Sequence, residues 1–452
     1  MTQSPSDSSA KTARQNEKQA RASQRREKAS GSEAPATRAA AGKERGRAAA
    51  GAHSRSAGDE SAPPLPLDCG AQYVDASELL DRVVAEIRAA PRLAVDTEAD
   101  SLHHYYEKVC LIQVSVAGAH YVIDPLAGVD LSLLLQALAQ KPLIFHGADY
   151  DLRMLRAGFA FEPHGEVFDT MLAAQLLGYE DLGLGTLVQR FFGVELPKTA
   201  RKLDWSQRPL TDRMLDYAVN DTRFLEPLAD RLGAELARLG REDWHRQACA
   251  ALVEASRETN RRAPDMEWRI KGSAQLRGRP LALVRELWRW REAEAKRSDR
   301  PPFKILGNQK LVELAAWAAQ RPYRDLSQGP ALPRNCTGRR RAALQRAVEE
   351  GRHLPQSQWP GPPKRPSSPH DGPPSPDRDF VNALCEIRDG LAQGFDIPPS
   401  VLAPRSAMIA VARHRPRSAE EMVLRTPLLP WQAEILAPGV VPVFRARGAK
   451  GR

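Results

Sequence analysis

Three apolar segments of this chain carry acids where an ordinary core would not accept them. Asp96 and Glu98 sit in RLAVDTEAD, Asp151 in LIFHGADYD, and Tyr217 with Asp221 in LDYAVND. Four carboxylates converging on one point repel strongly at neutral pH, so a fold that gathers them makes sense only around cations. Asp96 and Glu98 are two residues apart at a predicted strand end, so both side chains leave one face of a sheet. Tyr217 and Asp221 are four apart on a predicted helix and again share a face. The middle position is open between Asp149 and Asp151, both near the start of a predicted helix. Taken singly, each segment also reads as surface acids at a turn, or as ion pairs with Arg92, Arg153 or Arg223. Their order and spacing together point to a nuclease holding two divalent ions, Mg²⁺ or Mn²⁺. Such ions, about 3.5–4 Å apart, activate water and stabilise the leaving oxygen of an in-line phosphoryl displacement.

The chain divides into compositionally distinct stretches. Up to about residue 64 it contains no Val, Leu, Ile, Phe, Tyr or Trp, and residues 1–62 hold twelve Lys and Arg against seven Asp and Glu. A segment without apolar side chains cannot offset the entropy of ordering, so residues 1–66 are expected to be a disordered basic tail. Helical periodicity runs over 77–90, with strands predicted at 93–95, 109–116, 120–123 and 143–145. Helices are predicted at 131–139, 150–157, 167–177, 184–192 and 211–239. Strands first, in a mixed sheet, then helices packed on it: this predicts an α/β domain over 70–245. From Trp268 the pattern is all-helical and occurs twice, over 268–352 and 378–442. Each copy has a helix, a proline pair (Pro301-Pro302, Pro398-Pro399), an apolar pair (Ile305-Leu306, Val401-Leu402), a short helix and an Arg-Pro stop. Residues 353–377, crowded with Pro, Ser and Gly, read as a linker. In the first copy only one of Trp288 and Trp290 can face the core fully, and Trp288 with Val284 and Leu287 is the expected one.

The order DTE, HGADYD, YAVND resembles the tyrosine-bearing (DEDDy) branch of the 3′–5′ exonucleases. Within it, LPKTARKLDWSQRPLTDRMLDYAVND looks very like the bacterial ribonuclease D family, and both helical copies look like HRDC domains. The resemblance covers about residues 70–440. It implies a ribonuclease-H-like (DnaQ-like) α/β exonuclease domain with a mixed sheet, followed by two all-α HRDC-type helical domains. It selects Asp151, five residues after His146, over Asp149. It also implies that Asp96, Glu98 and Asp221 hold the ion on the nucleophile side, that Asp96 bridges to a second ion near Asp151, and that Tyr217 positions the attacking water. His146 is expected to make a structural hydrogen bond. Gly147 stands where many relatives outside ribonuclease D have Asn.

For substrate, Ser101, Leu102 and His103 are candidates to wedge against terminal bases, and His103 to Tyr106 offer rings for stacking. Lys198, Arg201, Lys202 and Arg208 are candidates to meet backbone phosphates. Arg289, Arg291, Arg297, Lys304 and Arg339 to Arg341 form a candidate track for structured RNA. A formal charge of +10 favours a polyanionic partner. There is neither an apolar run of about 18 residues nor an apolar leader segment, so a membrane partner and secretion are not expected. Five scattered cysteines without metal-ligand spacing suit the cytoplasm. The implied activity is that of a monomeric 3′–5′ exoribonuclease trimming RNA ends, by resemblance the 3′ trailers of tRNA precursors, with release of nucleoside 5′-monophosphates. A DNA exonuclease of the same family and a catalytically silent RNA-binding module are the competing readings.

Overall fold

The computed structural model describes residues 70–197, 202–258, 266–321, 323–361 and 376–449. The expected basic tail, Lys198, Arg201 and most of the Pro-rich linker lie outside the described residues.

Six strands form one mixed sheet in the order β1-β4-β3-β2-β5-β6. They are β1 (Ala71–Val74), β2 (Leu93–Ala99), β3 (Val109–Val116), β4 (Ala119–Ile123), β5 (Leu143–Phe145) and β6 (Val167–Asp169). β2, β3 and β4 pair antiparallel in sequence, while β1 on β4, β5 on β2 and β6 on β5 are parallel. β3 is buried at every position, because both faces of a central strand are covered. Two edge strands depart from the expectation. β1 was not expected, and Val167 to Asp169 was expected to begin a helix. Each has only three or four residues, too few to display a period of two.

The sheet separates two layers. Helices α1 (Ser77–Ala89), α2 (Ser132–Ala139) and α3 (Asp149–Phe159) bury Leu80, Val84, Leu134, Leu138, Leu152 and Leu155 against Val95, Val114 and Ile123. The opposite face is covered by α6 (Asp212–Arg223) and α7 (Leu225–Arg238), after α4 (Thr170–Leu176) and α5 (Leu184–Phe192). On that side Met214 and Ala218 pack on Leu111 and Val122, and Leu225 and Ala229 pack on Ala94 and Ile144. The single helix expected over 211–239 breaks at Phe224. Helix α8 (Glu242–Arg257) packs on α3, α4 and β6, so the α/β domain runs to Arg257 and past the expected limit at 245.

The two helical copies share their first three helices, and the second copy has one helix more. The first comprises α9 (Gly278–Ser298), α10 (Pro302–Ile305), α11 (Asn308–Gln320) and α12 (Gly338–His353). The second comprises α13 (Arg378–Gly394), α14 (Pro399–Leu402), α15 (Arg405–His414), α16 (Ala419–Arg425) and α17 (Pro430–Ala449). The second proline of each pair opens a four-residue helix, where its missing N–H costs nothing. In α9 it is Trp290 that is buried, and Trp288 only borders the cluster, reversing the expectation. The residues Leu283, Leu287 and Trp290, spaced four and three apart, follow the helical stripe that faces α11 and α12.

The second copy is not tethered loosely. Leu384, Leu402, Met408 and Trp431 join Leu176, Leu187, Leu232 and Leu236 in one continuous apolar cluster. Trp431 stacks on Trp244 with ring centroids 4.5 Å apart and planes 14° from parallel. Arg241 donates to Leu176 O at 2.7 Å and to Phe395 O at 2.6 Å, tying α8 to α13. Among the described residues no helix is long and apolar enough to cross a membrane.

Candidate metal centre

The acid pair is delivered by β2 rather than by a turn beyond it. Ala94, Asp96 and Glu98 alternate onto the face covered by α6 and α7, and the pairing with β3 shifts register between Glu98 and Ala99. Thr211 caps α6 by accepting from the Met214 N–H at 3.3 Å, and this starts the helix in the phase that carries Asp221 over β2. One carboxylate oxygen each from Asp96, Glu98 and Asp221 falls within 4.8 Å of the other two, and all three residues are half-buried.

Asp151 enters from the first turn of α3. Its Oδ1 accepts from the Thr97 N–H at 3.0 Å and the Thr97 hydroxyl at 2.7 Å, and the side chain is buried. Asp149 instead pairs at 3.0 Å with Arg153 on the surface. Of the two acids left open by spacing alone, Asp151 is the one buried near Asp96. The loop before α3 is held by Asp169, which was not singled out in the sequence. It is buried and accepts from the N–H groups of Gly147 at 3.1 Å and Ala148 at 2.9 Å while capping α4 through Met171 at 2.8 Å. The available signal was an acid between a short apolar stretch and a helix, the pattern of an N-cap. Gly147 has φ +82, and a Cβ there would stand 3.0 Å from Met171 Cε, which explains glycine at this position. His146 Nδ1 lies in hydrogen-bond contact with Thr170 Oγ1 at 2.9 Å.

Burial raises the Asp96 carboxyl well above its usual range, and repulsion from Asp151, Asp221 and Glu98 adds to this. Burial also lifts Asp151, to about 7, against the opposing pull of its two hydrogen bonds from Thr97. Unfolded, an aspartate titrates near about 4. Between about pH 4 and pH 7 the folded metal-free protein therefore keeps a proton at Asp151 that the unfolded chain has lost. Stability must then fall as pH rises through that window. We expect the Tm of EDTA-treated protein to drop across it and the slope to flatten in Asp151→Asn. Parallel slopes in the two proteins, measured by calorimetry, would contradict this origin.

Around the acids, several expected substrate contacts are already engaged within the chain. Arg208 is the plainest correction. Its guanidinium donates to buried Asp124 at 2.6 Å, to Cys110 O at 2.9 Å and to Trp205 O at 2.8 Å. It is a staple for the segment before α6, and Trp205 of that segment packs on Tyr217 with ring centroids 5.9 Å apart. His103 is occupied at both nitrogens, Nε2 by Lys202 O at 3.0 Å and Nδ1 by Lys304 Nζ at 3.4 Å. His104 bridges Asp299 at 2.7 Å and Ser206 at 2.9 Å, and the Tyr105 N–H donates to Asp299 at 3.0 Å. These residues dock the first helical domain and do not offer open rings. Leu102, Tyr106 and Tyr150 are the exposed apolar groups of this lip. In the expected basic track, Arg291 is buried and donates to Asn308 at 2.7 Å, while Arg297 and Arg340 both pair with Glu294. Arg289, Arg339 and Arg341 are exposed.

Comparison with known proteins agrees with this geometry. Residues 71–237 match the family model described as 3′–5′ exonuclease, and residues 281–322 and 377–438 match the HRDC domain model. The chain is similar to ribonuclease D of Sphingobium indicum, 34% identical over 53% of this chain and 62% of that protein. It is also similar to ribonuclease D of Acidiphilium cryptum, 32% identical over 65% of this chain and 76% of that protein. The solved structure of Escherichia coli RNase D, 23% identical, shares the fold with a TM-score of 0.60 over 83% of this chain and 99% of that one. With the acid cluster set on a mixed sheet and two HRDC-type bundles behind it, the chain belongs to the ribonuclease D family of 3′–5′ exoribonucleases.

Proposed function

We propose that this protein trims the 3′ ends of RNA, tRNA precursors among them, by hydrolysis that releases nucleoside 5′-monophosphates in the cytoplasm. The observation that carries the reading is the convergence of Asp96, Glu98 and Asp221 within 4.8 Å on one face of the sheet. Carboxylates this close, with Asp96 pushed toward the protonated form by burial and by repulsion from its acidic neighbours, are a donor set suited to hard divalent cations. Asp96, Glu98 and Asp221 would hold one Mg²⁺ or Mn²⁺, with Asp96 shared toward a second near Asp151. Two such cations supply positive charge at the attacking and leaving oxygens of a phosphodiester and ease loss of a proton from water.

The chain's own groups do the positioning. Tyr217, one helical turn before Asp221, orients the attacking water through its phenol oxygen, with Trp205 limiting the ring's movement. Leu102, Tyr106 and Tyr150 give apolar surface to the terminal bases. The exposed arginines of the first helical domain attract the body of a folded RNA.

RNA carrying a 3′ overhang and a 5′ label should shorten one nucleotide at a time, stop on addition of EDTA, and release mononucleotides. DNA of the same sequence should be cut far more slowly. Equal rates on both would favour a DNA exonuclease, and tight binding without cleavage would favour a silent RNA-binding module.

A further inference from the structure

Gln113 stands beside the acid cluster with nothing to do. It lies at the centre of β3 as the direct cross-strand partner of Asp96, so the two side chains leave the same face of the sheet as neighbours. It is fully buried, and neither its amide nitrogen nor its amide oxygen has a hydrogen-bond partner among the described residues. The rest of this face shows how unusual that is. Two residues along β3, Ser115 is satisfied by Thr222 Oγ1 at 2.7 Å and His120 Nδ1 at 2.7 Å. The flanking positions, Leu111 and Val122, are apolar. A leucine or methionine at 113 would continue that apolar floor at no polar cost. An amide buried without partners destabilises the fold, and its presence calls for a reason.

Resting on the reading of Asp96 as a cation ligand, we propose that Gln113 is a positioning residue for that ligand. Its side-chain N–H donates to the Asp96 carboxylate when cations are bound and fixes the rotation in which both oxygens can be shared. A carboxylate shared between two ions would turn one oxygen to each, and a donor on a remaining lone pair would hold it in that orientation. The chain thus accepts an unsatisfied amide in its core for the benefit of the loaded site.

The test uses the full chain with Gln113→Met and Gln113→Leu, each freed of metal with EDTA and titrated with Mn²⁺ alone by calorimetry. Asp96→Asn serves as the reference. Both Gln113 variants should keep or raise the metal-free Tm and weaken Mn²⁺ binding by roughly 10–100-fold. They should lower kcat while leaving the KM for RNA near that of the unaltered protein. A fall in metal-free Tm would overturn the proposal, since it would make Gln113 a partner within the empty fold. Unchanged Mn²⁺ affinity would overturn it equally. If the unaltered protein and Asp96→Asn bind Mn²⁺ alike, the fault lies instead with Asp96 as a ligand.

Discussion

Asp96→Asn should lower the rate of RNA hydrolysis by at least about 10³-fold, the scale of several kcal/mol of lost charge stabilisation. It should do so without harming the fold. The carboxyl of Asp96 is held above its usual range by burial and by three neighbouring acids, so a neutral amide of the same shape relieves repulsion. The melting temperature of metal-free protein should therefore hold or rise while activity disappears. Asp149→Asn is the matched control, because Asp149 sits two residues from Asp151 yet points to solvent and pairs with Arg153. It should leave the rate within about a factor of two, as exposed ion pairs contribute little. A rate for Asp96→Asn within tenfold of the unaltered protein would remove this aspartate from the chemistry. A drop in Tm would show that its role is structural.

Removing the second helical copy, from residue 376 onward, should cost the protein its folded exonuclease domain and not merely its grip on long RNA. The repeat pattern and the Pro-rich stretch before it suggest an accessory on a tether. The structure instead runs one apolar cluster through both parts. Truncation would strip Leu176, Leu232 and Leu236 of their cover, together with Trp244 and the Arg241 contact to Phe395. Each buried leucine contributes about 1.5–3 kcal/mol, and a domain of this size has only about 5–15 kcal/mol to lose. The shortened chain should be insoluble or should melt well below the full chain. Trp431→Ala is the milder test and should cost about 3–5 kcal/mol. A truncated protein that melts normally and hydrolyses short single strands at the full rate would restore the tethered arrangement.

What the sequence revealed and what it hid divide along physical lines. Acids in apolar surroundings stand out because burying them is costly, and the two periodicities place Asp96 with Glu98 and Tyr217 with Asp221 without any knowledge of the fold. The helical repeat was legible because proline pairs break helices at matching points. Edge strands β1 and β6 were not, since a few residues give no period. Side-chain partners were hidden most of all. Arg208 and Arg291 resemble free cations in a linear chain, and only the folded chain supplies Asp124 and Asn308. Leu232 and Leu236 on α7 look like ordinary core residues, and nothing local says that the layer covering them comes from nearly two hundred residues downstream. Gln113 is a single polar residue in an apolar strand, and only its lack of partners in the fold sets it apart.

The bridge from His104 and Tyr105 to Asp299 has an evolutionary consequence. The seam between the exonuclease domain and the first HRDC-type bundle is assembled from two distant parts of the chain, so this bundle cannot be exchanged as a freestanding cassette. A graft from a relative would have to carry its own counterparts of residues 103–105 and 204–206. Substitutions at these positions should consequently travel together across lineages, even though most of the surface they join is free to drift.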